Sequence, residues 1–190
     1  MARNTPGRPI LPLSGKAGRL RLGGLVATLA ALIALPVLVD SPAAAATKTE
    51  KTFDSWTVVC LENDDQQKRC SMLQSRIRAQ DKRMVLVWSI TADDNNEITQ
   101  SLTVPVGVSI KEGIRLFLGD GDPITLGYDV CGPRICLART PLDTALVATV
   151  KSSGKASASY VLMNKQLMQV ELDLTGFDTA YDYLVEQLSS

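Results

Sequence analysis

Four cysteines are the residues of this 190-residue chain best suited to covalent chemistry. An even number of cysteines behind an export signal, which is described below, is typical of disulfide bonds. Three pairings are possible, and the simplest joins neighbours in sequence, Cys60 with Cys70 and Cys131 with Cys136, because each pair brackets a predicted turn. Each closed loop would remove about 2–3 kcal/mol of unfolded-chain entropy in the loop model.

Two other kinds of cysteine chemistry fit the spacing less well. A zinc site built from all four cysteines is the main alternative, but zinc knuckles usually place two to four residues between ligands. Here nine residues separate the first pair and four separate the second. The segment from Cys131 to Cys136 is not a C-x-x-C motif, so no arrangement that stabilises a thiolate is visible. The sequence therefore predicts disulfides and no metal site.

Catalytic constellations of other kinds are missing from the sequence. The chain has no histidine, which excludes Ser-His-Asp and Cys-His nucleophile pairs and H-E-x-x-H zinc sites. A glycosidase needs one carboxyl group in an apolar pocket, whereas the neighbouring carboxylates of this chain fall in predicted polar turns: Asp64 and Asp65, Asp93 and Asp94, Asp120 and Asp122. We therefore predict a non-enzymatic protein without a cofactor, with a carboxylate-dependent envelope glycan hydrolase as one alternative.

The segment between the second pair of cysteines is the best candidate for contact with a partner. It reads Gly132-Pro133-Arg134-Ile135, and a disulfide would hold it in one conformation. A pre-ordered loop that carries an arginine suits binding, because little entropy is lost when the partner docks. A hairpin tip without any partner fits the same residues. Pro133, Arg134 and Ile135 are the candidate binding residues.

Alternation of apolar and polar residues predicts that β-strands position these segments. After a polar leader at Thr47–Thr52, a hairpin is predicted from the strands Phe53–Cys60 and Cys70–Arg78. Its loop is the polar segment Leu61–Arg69, and the first cysteine pair would clamp its base. Met84–Ile90 is apolar on both faces and predicts a central, doubly covered strand. The two tryptophans lie in these runs and are predicted to pack in the core rather than to stack on a ligand.

The second half of the chain predicts further strands and two short helices. Ile98–Val104 is a strand whose inward face includes Gln100, and a hairpin is predicted around Lys111–Gly113. A helix is predicted to begin with Thr140 as its N-cap, and a hairpin turns at Asn164. Thr175 is predicted to cap an amphipathic C-terminal helix, whose apolar residues are Phe177, Ala180, Tyr181, Leu184, Val185 and Leu188. Together these elements predict a mainly β, two-layer sandwich with a short helix and a C-terminal helix.

The first 46 residues have the three parts of a secretory signal. A basic start precedes the uncharged run Leu25–Val39, and the run is followed by Ala43–Ala46. Cleavage is predicted after Ala46, or alternatively after Ala45, which leaves a domain of residues 47–190. An uncleaved anchor is the other interpretation, but Pro36 interrupts a run that is short for a bilayer span of about 20 residues.

Removal of this segment makes the chain acidic. Residues 47–190 hold 15 basic and 19 acidic side chains, a net charge of −4. Such a domain has no electrostatic reason to bind nucleic acid or an anionic membrane. The expected membrane contact is limited to the signal peptide before cleavage.

Several short motifs occur in a fixed order along this domain. They are Phe53–Cys60 with Cys70, Val104–Val108, Gly113–Leu116, the Cys131/Cys136 segment and Leu172–Ala180. This ordered set resembles the invasion-associated locus B family of alphaproteobacteria over about residues 52–188. One departure is Ile135, where the family often has a glycine.

The resemblance implies an exported protein with an immunoglobulin-like β-sandwich and a link to host-cell invasion, and it implies no catalytic residues. We expect a periplasmic protein, outer-membrane-associated or secreted in the alternative, that binds a protein or an envelope component. A periplasmic chaperone or assembly factor is a further alternative, and it would show an exposed sheet edge and an apolar groove.

Overall fold

The computed structural model describes residues 47–63, 67–92 and 97–189. The predicted signal peptide and its cleavage site lie outside the described residues, as do Asp64, Asp65, Asp93 and Asp94. None of the described helices is long and apolar enough to cross a bilayer.

Strands dominate the described part of the chain. In order they are β1 (Thr47–Phe53), β2 (Trp56–Glu62), β3 (Lys68–Ile77), β4 (Met84–Ala92), β5 (Ile98–Pro105), β6 (Ile114–Leu118), β7 (Ile124–Leu126), β8 (Tyr128–Cys131), β9 (Ile135–Pro141), β10 (Ala156–Val161) and β11 (Leu167–Leu172). Helix α1 (Thr144–Ser152) lies between β9 and β10, helix α2 (Phe177–Leu188) follows β11, and a 3₁₀ turn (Ile110–Glu112) precedes β6.

The strands form two antiparallel sheets, which confirms the predicted two-layer, mainly β architecture. The large sheet has seven strands in the order β1-β2-β3-β4-β5-β9-β8, and its first five strands are consecutive in the chain. The small sheet has four strands in the order β11-β10-β6-β7. The chain passes from β7 in the small sheet to β8 in the large sheet with only Gly127 between them.

The core lies between the inner faces of the two sheets and beneath α2. Alternate residues of β2 to β5 point inward and are buried, as the sequence pattern predicted. Helix α2 packs on β1, β2 and β3 and buries Phe177, Ala180 and Leu184. The Phe177 ring lies 5.2 Å from that of Trp56, which in turn lies 5.2 Å from Trp88. Both tryptophans are fully buried, as predicted.

Gln100 is the polar member of the buried face of β5, and its surroundings explain it. The side chain is fully buried, and its Oε1 atom accepts a hydrogen bond of 3.1 Å from Nε1 of Trp88 on β4. The indole N–H of a buried tryptophan needs an acceptor. Gln100 therefore satisfies a donor that an apolar residue would leave unpaired.

The predicted polar leader at Thr47–Thr52 is wrong, because these residues form β1. All six are exposed, so they show no apolar periodicity from which a strand could be predicted. Backbone pairing with β2 holds them instead. The Lys51 ammonium also lies 4.3 Å from the ring centroid of Tyr183 on α2, a distance typical of a cation–π contact.

Two other predictions about strands need correction. Strand β4 is central but fully buries only one face, since Val87 and Thr91 on the other face are partly or largely exposed. The predicted hairpin around Lys111–Gly113 does not form. Val108 pairs with Leu162 instead, although Gly113 does have the expected positive φ, 63°.

Both helices begin later than the capping patterns predicted. Strand β9 continues to Pro141, so Asp143 rather than Thr140 caps α1, and its carboxylate accepts a hydrogen bond of 2.7 Å from the Leu146 N–H. Helix α2 starts after Gly176, which adopts φ 83°, and not after a Thr175 cap. A β-carbon at Gly176 would overlap with the carbonyl oxygen of Phe53. Glycine is therefore required at this close approach.

Candidate functional site

The segment from Cys131 to Cys136, here called the stapled tip, joins β8 and β9 at the edge of the large sheet. Its two cysteines lie directly opposite each other in the ladder and form a disulfide, with their Cα atoms 4.0 Å apart. The Gly132 N–H donates a hydrogen bond of 2.8 Å to the Ile135 carbonyl inside the same turn. A covalent bond and a hydrogen bond thus hold the predicted binding residues in one conformation.

Three exposed apolar side chains lie on the segments that border the stapled tip. Val106 is 44% exposed, Val130 is 53% exposed and Ile135 is 43% exposed. The Val106 N–H donates to the Arg134 carbonyl at 3.2 Å, which places the end of β5 beside the tip. We call Val106, Val130, Arg134 and Ile135 the tip surface.

The one charge of the tip surface, that of Arg134, is free to face a partner. Arg134 is exposed and makes no ion pair with any described residue. Farther along β9, Arg139 pairs with Asp129 on β8, with Nε and Oδ2 3.1 Å apart. Arginine together with exposed apolar residues is a common composition for a protein interface.

Tyr128 lies at the start of β8, on the inner side of this edge. Burial raises its pKa to about 12, with a smaller contribution from Tyr160, and its hydroxyl has no hydrogen-bond partner in the described part of the chain. The phenol is therefore neutral at physiological pH and contributes no charge to the edge.

The sequence predicts Pro133, Arg134 and Ile135 as binding residues but not Val106 or Val130. All three predicted residues are exposed at the tip. Val106 could not be found from local sequence, because its neighbour Arg134 is far along the chain. Val130 was detectable in principle, since it directly precedes Cys131 in the sequence.

The other disulfide, Cys60–Cys70, has different surroundings. Its cysteines are also direct cross-strand partners, and their Cα atoms are 4.1 Å apart. Both are buried in the core, with 4% and 1% exposure. The ladder continues past them to Glu62 and Lys68, so the disulfide lies within the hairpin rather than at the base of a nine-residue loop. Both pairs are those that sequence-local pairing predicted.

A polar junction around Asp173 ties the β2–β3 hairpin to the segment between β11 and α2. We call it the Asp173 junction. Asp173 Oδ2 accepts a hydrogen bond of 2.6 Å from the Ser55 hydroxyl, and its Oδ1 accepts one of 2.9 Å from the Thr175 N–H. Its backbone carbonyl accepts from Trp56 Nε1 at 3.1 Å and from Gln74 Nε2 at 2.8 Å. Gln74 also accepts from the Asp173 N–H at 3.1 Å.

The electrostatics of this junction indicate a structural role for its carboxylate. The Ser55 hydroxyl and then the Thr175 N–H lower the pKa of Asp173 to about 2. A carboxylate with so low a pKa is a weak base and is ionised at neutral pH, so it cannot serve as a general acid there. Its contacts instead join residues that are more than 100 positions apart, such as Ser55 and Asp173.

The remaining carboxylate pair that the structure describes lies in a solvated turn. Asp120 forms an ion pair of 2.6 Å with Lys155, which lowers the pKa of the carboxyl, and Asp122 is exposed. Among the described residues, no group of three or more aspartate, glutamate, cysteine or histidine side chains could hold a metal ion.

Comparisons with known proteins agree with each other. The family model described as invasion associated locus B (IalB) protein matches residues 56–185. An invasion protein B homolog of Brucella abortus is 28% identical over 160 residues, which cover 84% of this chain and 92% of the relative. Invasion protein B of Bartonella bacilliformis is 27% identical over 149 residues, which cover 76% of this chain and 78% of the relative.

A solved structure shows the same fold. The crystal structure of invasion associated protein B from Bartonella henselae superposes with a TM-score of 0.65. The superposition covers 74% of this chain and 97% of that one, at 21% sequence identity. The family match includes all the residues of the stapled tip and the Asp173 junction except Ser55, which immediately precedes it.

Proposed function

The chain belongs to the invasion associated locus B family, and on that premise we propose that it is an exported, non-enzymatic envelope protein that binds a protein or an envelope component through the tip surface. Its relatives are named invasion proteins, so contact with a host cell is included in the proposal. We expect neither a cofactor nor a nucleic-acid partner.

One observation carries this proposal: the tip surface combines exposed apolar side chains with an arginine on a turn that is already ordered. Val106, Val130 and Ile135 stay about half exposed although burying the rest of each side chain would be favourable by roughly 1 kcal/mol. The disulfide and the Gly132–Ile135 hydrogen bond fix the turn before binding. Pre-organisation of this kind lowers the entropy cost of association.

The location of the protein is also part of the proposal. The predicted signal peptide supports export, and two disulfides support an oxidising compartment. We place the protein in the periplasm, with association with the outer membrane or secretion as later steps. Its only expected insertion into a membrane is through the signal peptide before cleavage.

Site-specific crosslinking in intact cells tests the tip surface. A photo-reactive amino acid at position 135 should give a discrete adduct, and the same probe at the exposed Leu61 on the other disulfide-bonded hairpin is the matched control. Excess purified protein should compete for the adduct, whereas excess R134S/I135S protein should not. The proposal fails if position 61 gives the same adduct, or if both competitors act equally.

A second measurement tests the non-enzymatic role. Purified protein incubated with panels of esters, peptides and glycans should give no turnover above buffer. Turnover that persists in R134S/I135S but disappears after substitution of a carboxylate would identify an enzyme, and it would overturn this part of the proposal independently of the crosslinking result.

A further inference from the structure

A groove separates the last residues of β3 from the free edge of β11, and we call it the open corner. Strand β2 pairs with β3 only as far as Leu73, so from Ser75 onward β3 has a partner on one side only, strand β4. On the other side of the groove, β11 is the outermost strand of the small sheet. The groove has a volume of about 450 Å³, within the range of ligand sites, and it is lined by Ser75–Arg78, Gln80, Val85 and Met168–Glu171.

The edge of β11 presents backbone hydrogen-bonding groups to this groove. Arg76 Nε donates a hydrogen bond of 2.8 Å to the Glu171 carbonyl, so the backbone of Glu171 points away from β10. In an antiparallel strand every second residue points its N–H and C=O to the same side. The N–H and C=O of Gln169 therefore face the groove too. Such a row is a template for another strand.

Strand β11 lacks the lysines, the short length and the irregular register that protect the two edges of the large sheet from pairing. Strand β1 carries Lys48 and Lys51, and β8 is short and has a register shift at Tyr128/Val130. Lysines, short strands and irregular register are typical ways to prevent edge pairing. Strand β11 reads Leu-Met-Gln-Val-Glu-Leu and pairs with β10 in continuous register, without lysine or proline.

The side chains of the open corner give it a chemical preference. Val85, Met168 and Val170 supply apolar surface on its inner side. Its rim and the adjoining β3–β4 turn carry four basic and two acidic side chains, namely Arg76, Arg78, Lys82 and Arg83 against Asp81 and Glu171. The region is thus net positive on a domain whose net charge is −4.

Arg76 is the cation best placed to meet a ligand. Arg78 is occupied by Asp81 through two hydrogen bonds, of 2.9 and 2.6 Å. Arg76 instead bonds a neutral carbonyl, and none of the described carboxylates lies within ion-pair distance of it. An arginine prefers a carboxylate, which it can bind through two parallel hydrogen bonds.

We propose that the open corner binds an extended acidic segment of another protein, which adds to β11 as a fifth strand of the small sheet. Backbone groups of the segment pair with Gln169 and Glu171, and its alternate apolar side chains rest on Val85, Met168 and Val170. A backbone N–H of the new strand donates to the Glu171 carbonyl in place of Arg76, and the Arg76 guanidinium pairs instead with a carboxylate of the segment. This surface shares no residue with the tip surface, so each can bind without the other.

Binding of a defined peptide tests the proposal. The probe is a fluorescein-labelled octapeptide of alternating valine and glutamate, and the protein is purified from cells that express the full chain. Its fluorescence anisotropy should rise saturably, and an octapeptide of alternating valine and lysine should not bind. R76Q and Q169P should each weaken binding at least about ten-fold, since one removes the charge-assisted contact and the other removes an edge N–H.

Three controls make the result decisive. R139Q removes an exposed arginine elsewhere and should change binding less than about two-fold, because that arginine is paired with Asp129. R134S/I135S should bind the peptide normally, and loss of binding there would assign the peptide to the tip surface. Thermal melting checks that Q169P folds, which is expected because the Gln169 N–H that the substitution removes faces away from β10.

Amide hydrogen exchange of the unmodified protein provides an independent measurement. Exchange at Gln169 and Glu171 should slow when the peptide is added, and exchange in β8 should not change. Absence of binding at about 1 mM peptide, a range in which even weak specific complexes form, overturns the proposal. So does binding that leaves these two amides unprotected, or that R139Q weakens as much as R76Q.

Discussion

The two disulfide-bonded hairpins have the same local geometry and opposite surroundings. In each, the cysteines are direct cross-strand partners with Cα atoms about 4 Å apart. The β2–β3 hairpin lies inside the large sheet, beneath α2, and the Asp173 junction holds its open end. The β8–β9 hairpin ends at the sheet edge, where Cys136 is buried but Cys131 is exposed.

This difference shows that position in the sheet, and not the covalent bond itself, decides what a disulfide contributes. A cross-link in the centre of the large sheet adds to packing that already exists on both sides of the hairpin. A cross-link at the edge substitutes for packing that an edge strand lacks. The first stabilises the core, and the second keeps a small exposed surface in one shape.

The largest expected effect comes from removal of the central disulfide. The C60A/C70A variant should lose about 3 kcal/mol of loop-entropy stabilisation, plus the packing of two buried sulfur atoms. Urea unfolding of the variant and of the unmodified protein measures the loss. A loss equal to or smaller than that of C131A/C136A would contradict the comparison.

Removal of the edge disulfide should cost less. The disulfide that C131A/C136A removes closes a shorter loop, for which the expected loss is about 2 kcal/mol, and Cys131 buries little surface. Amide exchange should become faster at residues 132–135 and stay unchanged in β2 and β3. Faster exchange across both hairpins would show that the tip is not an independent unit.

Neutralising Asp173 should have a smaller effect that depends on pH. D173N keeps one acceptor, for the Thr175 N–H, and places an amide NH2 opposite Ser55, whose hydroxyl oxygen can accept from it. The charged hydrogen bonds of the carboxylate are thereby replaced with neutral ones, a loss of about 1 kcal/mol at pH 7. Because the folded-state pKa, about 2, lies below the unfolded value, this contribution is full above roughly pH 4 and disappears as the pH falls through 2. D173N should therefore remove part of the acid dependence of the unfolding free energy.

The matched control for this pH effect is D81N. Asp81 also has a pKa lowered to about 2, in its case by a hydrogen bond from Arg78, but it lies in the exposed β3–β4 turn. Acid unfolding curves of the two variants distinguish the contribution of the Asp173 junction to stability from that of the exposed Arg78–Asp81 pair. Identical acid unfolding curves for D173N and the unmodified protein would show that the Asp173 junction does not stabilise the β2–β3 hairpin.

The smallest effect on stability is expected at the tip surface itself. R134S/I135S should change the unfolding free energy by less than about 0.5 kcal/mol, because both side chains are exposed. The same variant should also fail to compete for the adduct described above. A large loss of stability would show that these residues serve the fold, and the contrast between the two hairpins would weaken.

Local sequence was sufficient for the strands that bury alternate residues and for the cysteine pairing. Strands β2 to β5 follow from alternation, because their inner faces are covered. Strand β1 did not follow, since it buries no side chain fully and is held by backbone pairing and by α2. The start of α1 was misplaced by the Thr140-Pro141 pattern, because pairing with β5 keeps both residues in β9.

The candidate sites were predictable only where they are local. The exposed turn with Arg134 lies between two neighbouring cysteines, so the sequence displayed it directly. The Asp173 junction joins Gln74 and Asp173, which are 99 residues apart, and the open corner brings β3 near β11. Such pairings depend on how the two sheets stack, which no short pattern in the chain encodes.

The passage of the chain through Gly127, from the small sheet straight into the edge of the large one, has a mechanical consequence. A partner that pulls on the tip surface applies tension to β8, and one residue of backbone carries that tension into β7. A linker of one residue is too short for one sheet to move while the other stays fixed. A load on the tip is therefore shared by both sheets from the start, which suits the attachment role proposed for the tip surface.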